Sequence, residues 1–423
     1  QLNPDSDNMT TQKKQKGKLV PKLRFKDFEG EWVENKLKDV MSIFNGYAFS
    51  STDAKENGCR WVKIADVGIN EMKLDSPSFL PIDYAKTYSK FLLNEGDYIV
   101  ALTRPILGGE LKIAKIDQEF DGALLNQRVG KLVSNNNLNF IYCLLQKKAL
   151  IARIENRIAG TDPPNLSPNE IATLKVSIPT LPEQEKISSF LSSVDEKLTQ
   201  LTRKKELLAQ YKKGVMQQLF SGKLRFKDEN GKEFPKWEEK RLGEVAERNA
   251  VKNRNNSVNF VLTNSATQGI VSQGEYFDRD IANQNNLEGY YIVSLDDFVY
   301  NPRVSVHAPV GPIKRNKLRE GVMSPLYLVF RFKEKNLKYF EYFFETNYWH
   351  DYLESVANIG VRHDRMNISN SDFFKMPIPF PSDEEQQKIS TFLSSIDTKI
   401  QSSTTQISQT QSFKKGLLQQ MFV

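Results

Sequence analysis

The sequence predicts an α+β protein with a pseudo-two-fold internal repeat: two mixed α/β domains joined by two long helices with coiled-coil seams that favour their packing together. Three observations carry this. Lys186–Phe220 (KISSFLSSVDEKL…KKGVMQQLF) and Lys388–Phe422 (KISTFLSSIDTKI…KKGLLQQMF) repeat at a constant offset of 202 residues without a gap. The starts of the two halves repeat too, as LRFKDFEGEW from Leu23 and LRFKDENGKEFPKW from Leu224. The long stretches between these ends hardly resemble each other, yet they keep one order of elements. A duplicated frame with two divergent inserts suggests one scaffold holding two different readers.

The elements follow in chain order. Residues 1–20 are polar and Lys-rich and are expected to be a disordered tail. The first domain is expected over 21–178. In it a Gly96-Asp97 turn leads into the strand YIVALTR, which ends at Arg104. LLNQRV follows from Leu124 to Val129, then an amphipathic helix near Leu138 to Ile158. Gly160 through Asn165-Leu166-Ser167 leads to a short strand and the segment IPTLP. The second domain, 223–378, repeats this order. Asp296-Asp297 leads into FVYNPR, ending at Arg303, then VMSPLY from Val322 and a helix near Leu337 to Val356. Gly360 through Asn367-Ile368-Ser369 then leads to IPFP.

The long helices are expected over 179–222 and 379–423. Prolines precede each, and Glu183, Glu185 and the run Asp383-Glu384-Glu385 suit the positive end of a helix dipole. The first apolar seam is Ile187, Leu191, Val194, Leu198, Leu201, Leu208 and Val215. The second is Ile389, Leu393, Ile396, Ile400, Ile407, Leu417 and Met421. Their steps of three and four are the coiled-coil period, broken at Lys205 and weakened at Ser403 and Thr410.

Composition excludes several classes. Of the residues, 39% are hydrophobic and 26% charged, enough apolar content for a core in each half. No apolar run is long enough to span a membrane. The formal charge of +7 suits an anionic partner. Cys59 and Cys143 make no disulfide framework, which points to the cytoplasm. His307, His350 and His363 lie far from both, so no zinc site of usual spacing can be built.

Catalytic motifs are missing. There is no phosphate-binding G-x-x-x-x-G-K-[ST] and no G-x-G-x-x-G turn. Asp162-Pro163-Pro164-Asn165 looks like the Asp-Pro-Pro-aromatic signature of amino methyltransferases, but Asn165 cannot stack on a flipped base. What remains is binding chemistry near the loops: Thr103-Arg104, Asn126-Gln127-Arg128, Asn264-Ser265 with Gln268, Asn301 with Arg303, and Arg362-His363 with Arg365. Asn and Gln can pair bidentately with adenine and Arg with guanine in the major groove, while Arg also grips phosphates. Arg104 and Arg303 both follow the same strand of their copies, and are expected to act from equivalent places.

The layout resembles the specificity subunit of type I restriction-modification systems. The resemblance is carried by LRFKDFEGEW…LKDV (Leu23 to Val40), NGYAF (Asn45 to Phe49) and IPTLPEQEKISSFLSSVDEKL from Ile178. The second copies start at Leu224 and Ile378. NGYAF has no clear second copy, and two residues are inserted before Lys388.

The resemblance implies a bacterial defence role in which each insert is a target recognition domain reading half of a split site in double-stranded DNA. It implies that the two long helices pack as an antiparallel coiled coil, with two methyltransferase subunits docked on them and two motor-nuclease subunits added. It also implies no catalytic residues, metal or cofactor in this chain, with S-adenosylmethionine, and ATP with magnesium, on the partners. Two-fold DNA-binding proteins address half-sites about one helical turn, ~34 Å, apart, and differing inserts imply differing half-sites. A stand-alone DNA methyltransferase and a coiled-coil adaptor without DNA specificity are the competing readings.

Overall fold

The run Tyr98–Leu102 is apolar at every position, the pattern of a strand covered on both faces. In the computed structural model, described over residues 19–158, 162–277, 287–357 and 364–423, this is what is found. Tyr98, Val100 and Leu102 enter one core, with Leu132, Phe140 and Ile154. Ile99 and Ala101 enter another, with Val62, Phe120 and Val129. Successive side chains point to opposite faces of a strand, so one short run serves two cores.

The chain forms two units, Gln1–Leu201 with Thr405–Val423, and Thr202–Thr404. In the first, a four-stranded antiparallel sheet runs in the order Ser42–Asn45, Val129–Val133, Tyr98–Ala101, Ile113–Lys115. In the second the order is Ala246–Arg248, Leu328–Phe332, Phe298–Tyr300, Ile313–Arg315. A two-stranded ribbon leads into each long helix: Val33–Lys36 with Lys175–Ile178, and Glu238–Arg241 with Pro377–Phe380. The duplication read from the ends therefore extends to the divergent inserts.

Two expectations change. The helix foreseen near Leu138 to Ile158 is two, Leu138–Leu145 and Lys148–Ile158. Its counterpart is likewise split into Leu337–Phe344 and His350–Val356. The first piece is buried from Phe140 to Leu145, whereas the second buries Leu150, Ile151, Ile154 and Ile158 on one stripe. One straight helix could not be enclosed and then amphipathic, so the chain turns between them. Of the expected tail only Leu19 and Val20 are described. Leu19 packs on the first core and its carbonyl accepts from the Trp32 N–H at 2.7 Å.

The long helices are Leu181–Phe220 and Asp383–Gln420. Ile187, Leu191, Val194, Leu201 and Val215 are buried, as are Ile389, Leu393, Ile396, Leu417 and Met421. Leu198, Leu208, Ile400 and Ile407 are half-buried. In the first unit Trp32 touches both Glu183 and Phe422, while Asp195 meets Lys414, so the two helix segments run antiparallel.

The repeated LRF…W motif caps each long helix. Arg24 Nε and Nη2 donate to the two oxygens of Glu183 at 2.8 Å, and Trp32 Nε1 donates at 3.3 Å. Arg225 and Trp237 do the same to Glu385, at 3.1, 2.5 and 2.8 Å. Both carboxylates are buried, at 2% and 0% exposure. Glu183 and Glu385 are thus more than charges at a helix end. Each ties the start of its half to the helix that ends it, and in each the partnering carboxylate raises the arginine pKa against the cost of burial. Gln184 and Gln386 complete the joint by donating to the carbonyls of Pro179 and Pro381, both at 3.0 Å.

Candidate nucleic-acid interface

In the first unit the loop after Tyr98–Ala101 is built by hydrogen bonds. Thr103 Oγ1 donates to Asn165 Oδ1 at 2.7 Å, and the Arg104 N–H donates to the Pro164 carbonyl at 2.8 Å. Arg104 has φ +48, a left-handed conformation uncommon for a side chain other than glycine, and its side chain is exposed. A second loop lies beside it. Asn126 Oδ1 accepts from the Arg128 N–H at 3.0 Å, and the Gln127 N–H donates to the Tyr47 carbonyl at 2.9 Å. This turn leaves Gln127 and Arg128 exposed. The two loops border an open pocket of about 520 Å³ whose lining includes Asn45, Thr103, Gln127, Arg128 and Asn165. Amide, hydroxyl and guanidinium groups so gathered can both donate to and accept from the edges of bases.

In the second unit Asn301 Nδ2 donates to the Asn264 carbonyl at 3.0 Å, and Asn301 Oδ1 accepts from the Arg303 N–H at 3.0 Å. Arg303 pairs with Arg365 as an isolated β-bridge. Its guanidinium stands 4.0 Å from Asp364, which also lies 3.7 Å from Arg365. Arg303 and Gln268 are exposed and Arg365 is half-buried. Arg362 and His363 lie outside the described residues.

Several expectations are corrected. Asn264 is 2% exposed, and its Nδ2 donates to the carbonyls of Val299 and Pro312 at 2.7 and 3.2 Å. Ser265 is buried, and its Oγ accepts from the Gln268 N–H at 3.3 Å. These bonds commit both side chains to strands and loops within the protein, although Asn264 Oδ1 has no hydrogen-bond partner among the described residues. Thr103 and Asn126 are likewise buried and shape the loops that present their exposed neighbours.

Arg104 and Arg303 are not equivalent. Tyr98 pairs with Lys115 and Phe298 with Arg315, which aligns Tyr98 with Phe298. Thr103 then corresponds to Arg303, and Arg104 to Val304. The loops agree, because the Val304 N–H donates to the Asp364 carbonyl as the Arg104 N–H does to that of Pro164. The two arginines follow the same strand one step apart.

Asn45, Asn165 and Ser167 line the pocket although their types alone did not single them out. A second missed set lies on the helices. Lys414 Nζ is 2.7 Å from Asp195, and Lys212 Nζ is 2.8 Å from both Asp397 and Glu345. Burial works against the charge of Lys212, yet the two carboxylates outweigh it and raise its pKa. The signal was present: both lysines and both aspartates recur at the repeat offset.

The described residues thus carry one α/β frame twice, with different polar loops after the same strands, and among them no cluster of side chains that could hold a metal. The profile of the type I restriction modification DNA specificity domain matches residues 29–209 and again 235–410, and the chain belongs to that family. It is 32% identical over 216 residues to the type I restriction enzyme MjaVIII specificity subunit of Methanocaldococcus jannaschii. That alignment takes in 50% of this chain and 51% of the relative, so the chain spans about half the relative's length. It is 22% identical over 413 residues to the putative MjaX specificity subunit of the same organism, covering 92% of each. The crystal structure of a type I restriction-modification S subunit from M. genitalium shares the fold. Its TM-score is 0.55 at 15% identity, over 96% of this chain and 99% of that one. No described helix is long and apolar enough to cross a membrane.

Proposed function

We propose that the chain is the DNA-reading component of a type I restriction-modification assembly. Each recognition domain reads one half of a bipartite, asymmetric site in double-stranded DNA. The long helices set the spacer and carry two methyltransferase subunits, to which two motor-nuclease subunits are added. S-adenosylmethionine, and ATP with magnesium, belong to those partners, and this chain performs no chemistry.

The observation that carries the reading is the family match occurring twice, once in each half. Its two halves share a sheet and cap but present different loop ends, Arg104 with Gln127 and Arg128 in one, Arg303 with Arg365 in the other. The purified chain mixed with duplex DNA and methyl donor should give no methylated product until methyltransferase subunits are added. Methylation by the chain alone would reject the reading. Binding indifferent to duplex sequence, without a steep salt dependence, would favour an adaptor instead.

A further inference from the structure

One aliphatic side chain of the second unit stands almost wholly in solvent: Val306 is 98% exposed. It sits with His307 at the tip of a tight hairpin, where the N–H groups of Ser305 and Ala308 each donate to the other residue's carbonyl at 3.0 Å. A lone exposed aliphatic ordinarily means little. Turn tips, however, favour Gly, Asn, Asp and Pro, and this tip is held out by its base. Ala308 and Val310 are buried, and the Val310 carbonyl accepts from Tyr300 Oη at 2.9 Å. The Val304 N–H donates to the Asp364 carbonyl at 3.1 Å. Gly311, at φ +84, passes so close to Asn301 that a Cβ there would collide with the Asn301 carbonyl.

The surroundings of the tip are polar and cationic. Arg303 leads into the hairpin and is exposed, and Arg365 bridges to it. Such arginines suit phosphates and guanine edges. The first unit repeats the arrangement with different residues. Its loop between the same two strands is equally long, since Tyr98 pairs with Lys115 and Phe298 with Arg315. That loop too folds into a hairpin, Ile106–Leu107 with Glu110–Leu111, and carries Leu107 at 57% exposure. Two divergent inserts thus each hold an aliphatic side chain in water beside an exposed arginine. An aliphatic group gains nothing from a phosphate. Along the base edges it fits one feature, the C5-methyl of thymine in the major groove. Valine is well suited, because its branched side chain has little rotamer freedom to lose.

We propose that Val306 reads a thymine in the half-site of the second domain. Its isopropyl group packs against the thymine C5-methyl in the major groove, while Arg303 and Arg365 hold the strand around it. This rests on the reading that each domain recognises half of a DNA site, and it names a base within one half.

The test uses the full chain with its methyltransferase subunits, and duplexes carrying its site. The half belonging to the second domain is the one that survives exchange of Lys22 to Val176. Each thymine of that half, on either strand, is replaced in turn by deoxyuridine, which lacks only the methyl group. At one thymine the parent should lose affinity roughly four-fold, the worth of one methyl group withdrawn from water. Val306→Ser should bind the unmodified site more weakly and show no further loss with deoxyuridine at that thymine. The substitution lies on an exposed tip, so the urea midpoint should not move. A parent indifferent to deoxyuridine throughout, a half-site without an A·T pair, or a Val306→Ser chain that keeps the deoxyuridine penalty overturns the contact while leaving DNA reading intact. A parent with no preference among duplexes overturns the reading of half-sites and the contact with it.

Discussion

Asn126 turns the chain so that Gln127 and Arg128 stand free beside the pocket, and this makes Arg128 the sharpest probe of the first domain. If Arg128 contacts a phosphate, Arg128→Ala should weaken binding to all sequences alike and lower the salt slope by about one charge. If it reads a base, the variant should relax one position at roughly 1–3 kcal/mol. Unchanged affinity and specificity would remove Arg128 from the interface. Asn126→Ala acts differently, since it removes the turn that presents both neighbours. Cys143 offers an independent check of the first core. Burial pushes its thiol from the ordinary 9.0 up to about 12. The folded state therefore favours the neutral thiol. That contribution is complete below the unfolded pKa and is lost as pH rises from about 9 towards 12. At pH 8 a thiol reagent should leave Cys143 untouched until the protein unfolds, and rapid labelling of the native chain would contradict its burial.

At the scale of elements, the cap of each long helix and the ion pairs along it make separate predictions. Glu183→Ala removes the acceptor of Arg24 and of the Trp32 Nε1, while Arg24 keeps the carbonyls of Gly30 and Glu29 and some contact with solvent, so losing these charge-assisted bonds should cost about 1.5–3 kcal/mol. The urea midpoint should fall accordingly, and Glu385→Ala should act likewise in the second unit. Lys414→Asp should also destabilise, and the added Asp195→Lys should recover much of the loss. Failure of that rescue would show that position, not pairing, matters there. For the helices as a ruler, four residues inserted near Leu201 add about 6 Å of helix and keep the seam nearly in phase. With duplex rising 3.4 Å per base pair per strand, the preferred spacer should lengthen by one or two base pairs. An active variant that kept its original spacer, read by methylome sequencing, would reduce the helices to a linker.

For the molecule as a whole, the modular reading predicts that exchanging Lys22 to Val176 for the matching insert of a relative changes one half-site only. A folded exchange that altered both would refute it. Periodic features were legible in the sequence: the duplicated tails, the seams, and the strand after Asp97. They depend on neighbours a few residues away. What was not legible depends on distant partners. Arg24 and Glu183 stand 159 residues apart, and no local pattern joins them. Asn264 has the composition of a reader, but the carbonyls of Val299 and Pro312 claim it. The alignment of Arg303 with Thr103 needed the register of Phe298 against Arg315, because one residue of slip in a strand reverses the face a side chain occupies.

The closing of the first unit by Thr405–Val423 bears on how the protein is made. Leu417, Met421 and Phe422 belong to the core that holds Trp32 and Phe140. On the ribosome these side chains appear long after Leu201 has been added. At roughly 5–20 residues per second, the intervening segment of about 200 residues takes on the order of 10–40 s to synthesise. During that time the first core lacks a wall, and once Thr404 has been added the second unit, bounded by Thr202–Thr404, has all its parts while the first still waits. The half translated first is completed last, and a ribosome stalled before Leu417 would leave one finished unit and one with its apolar interior open to chaperones and proteases.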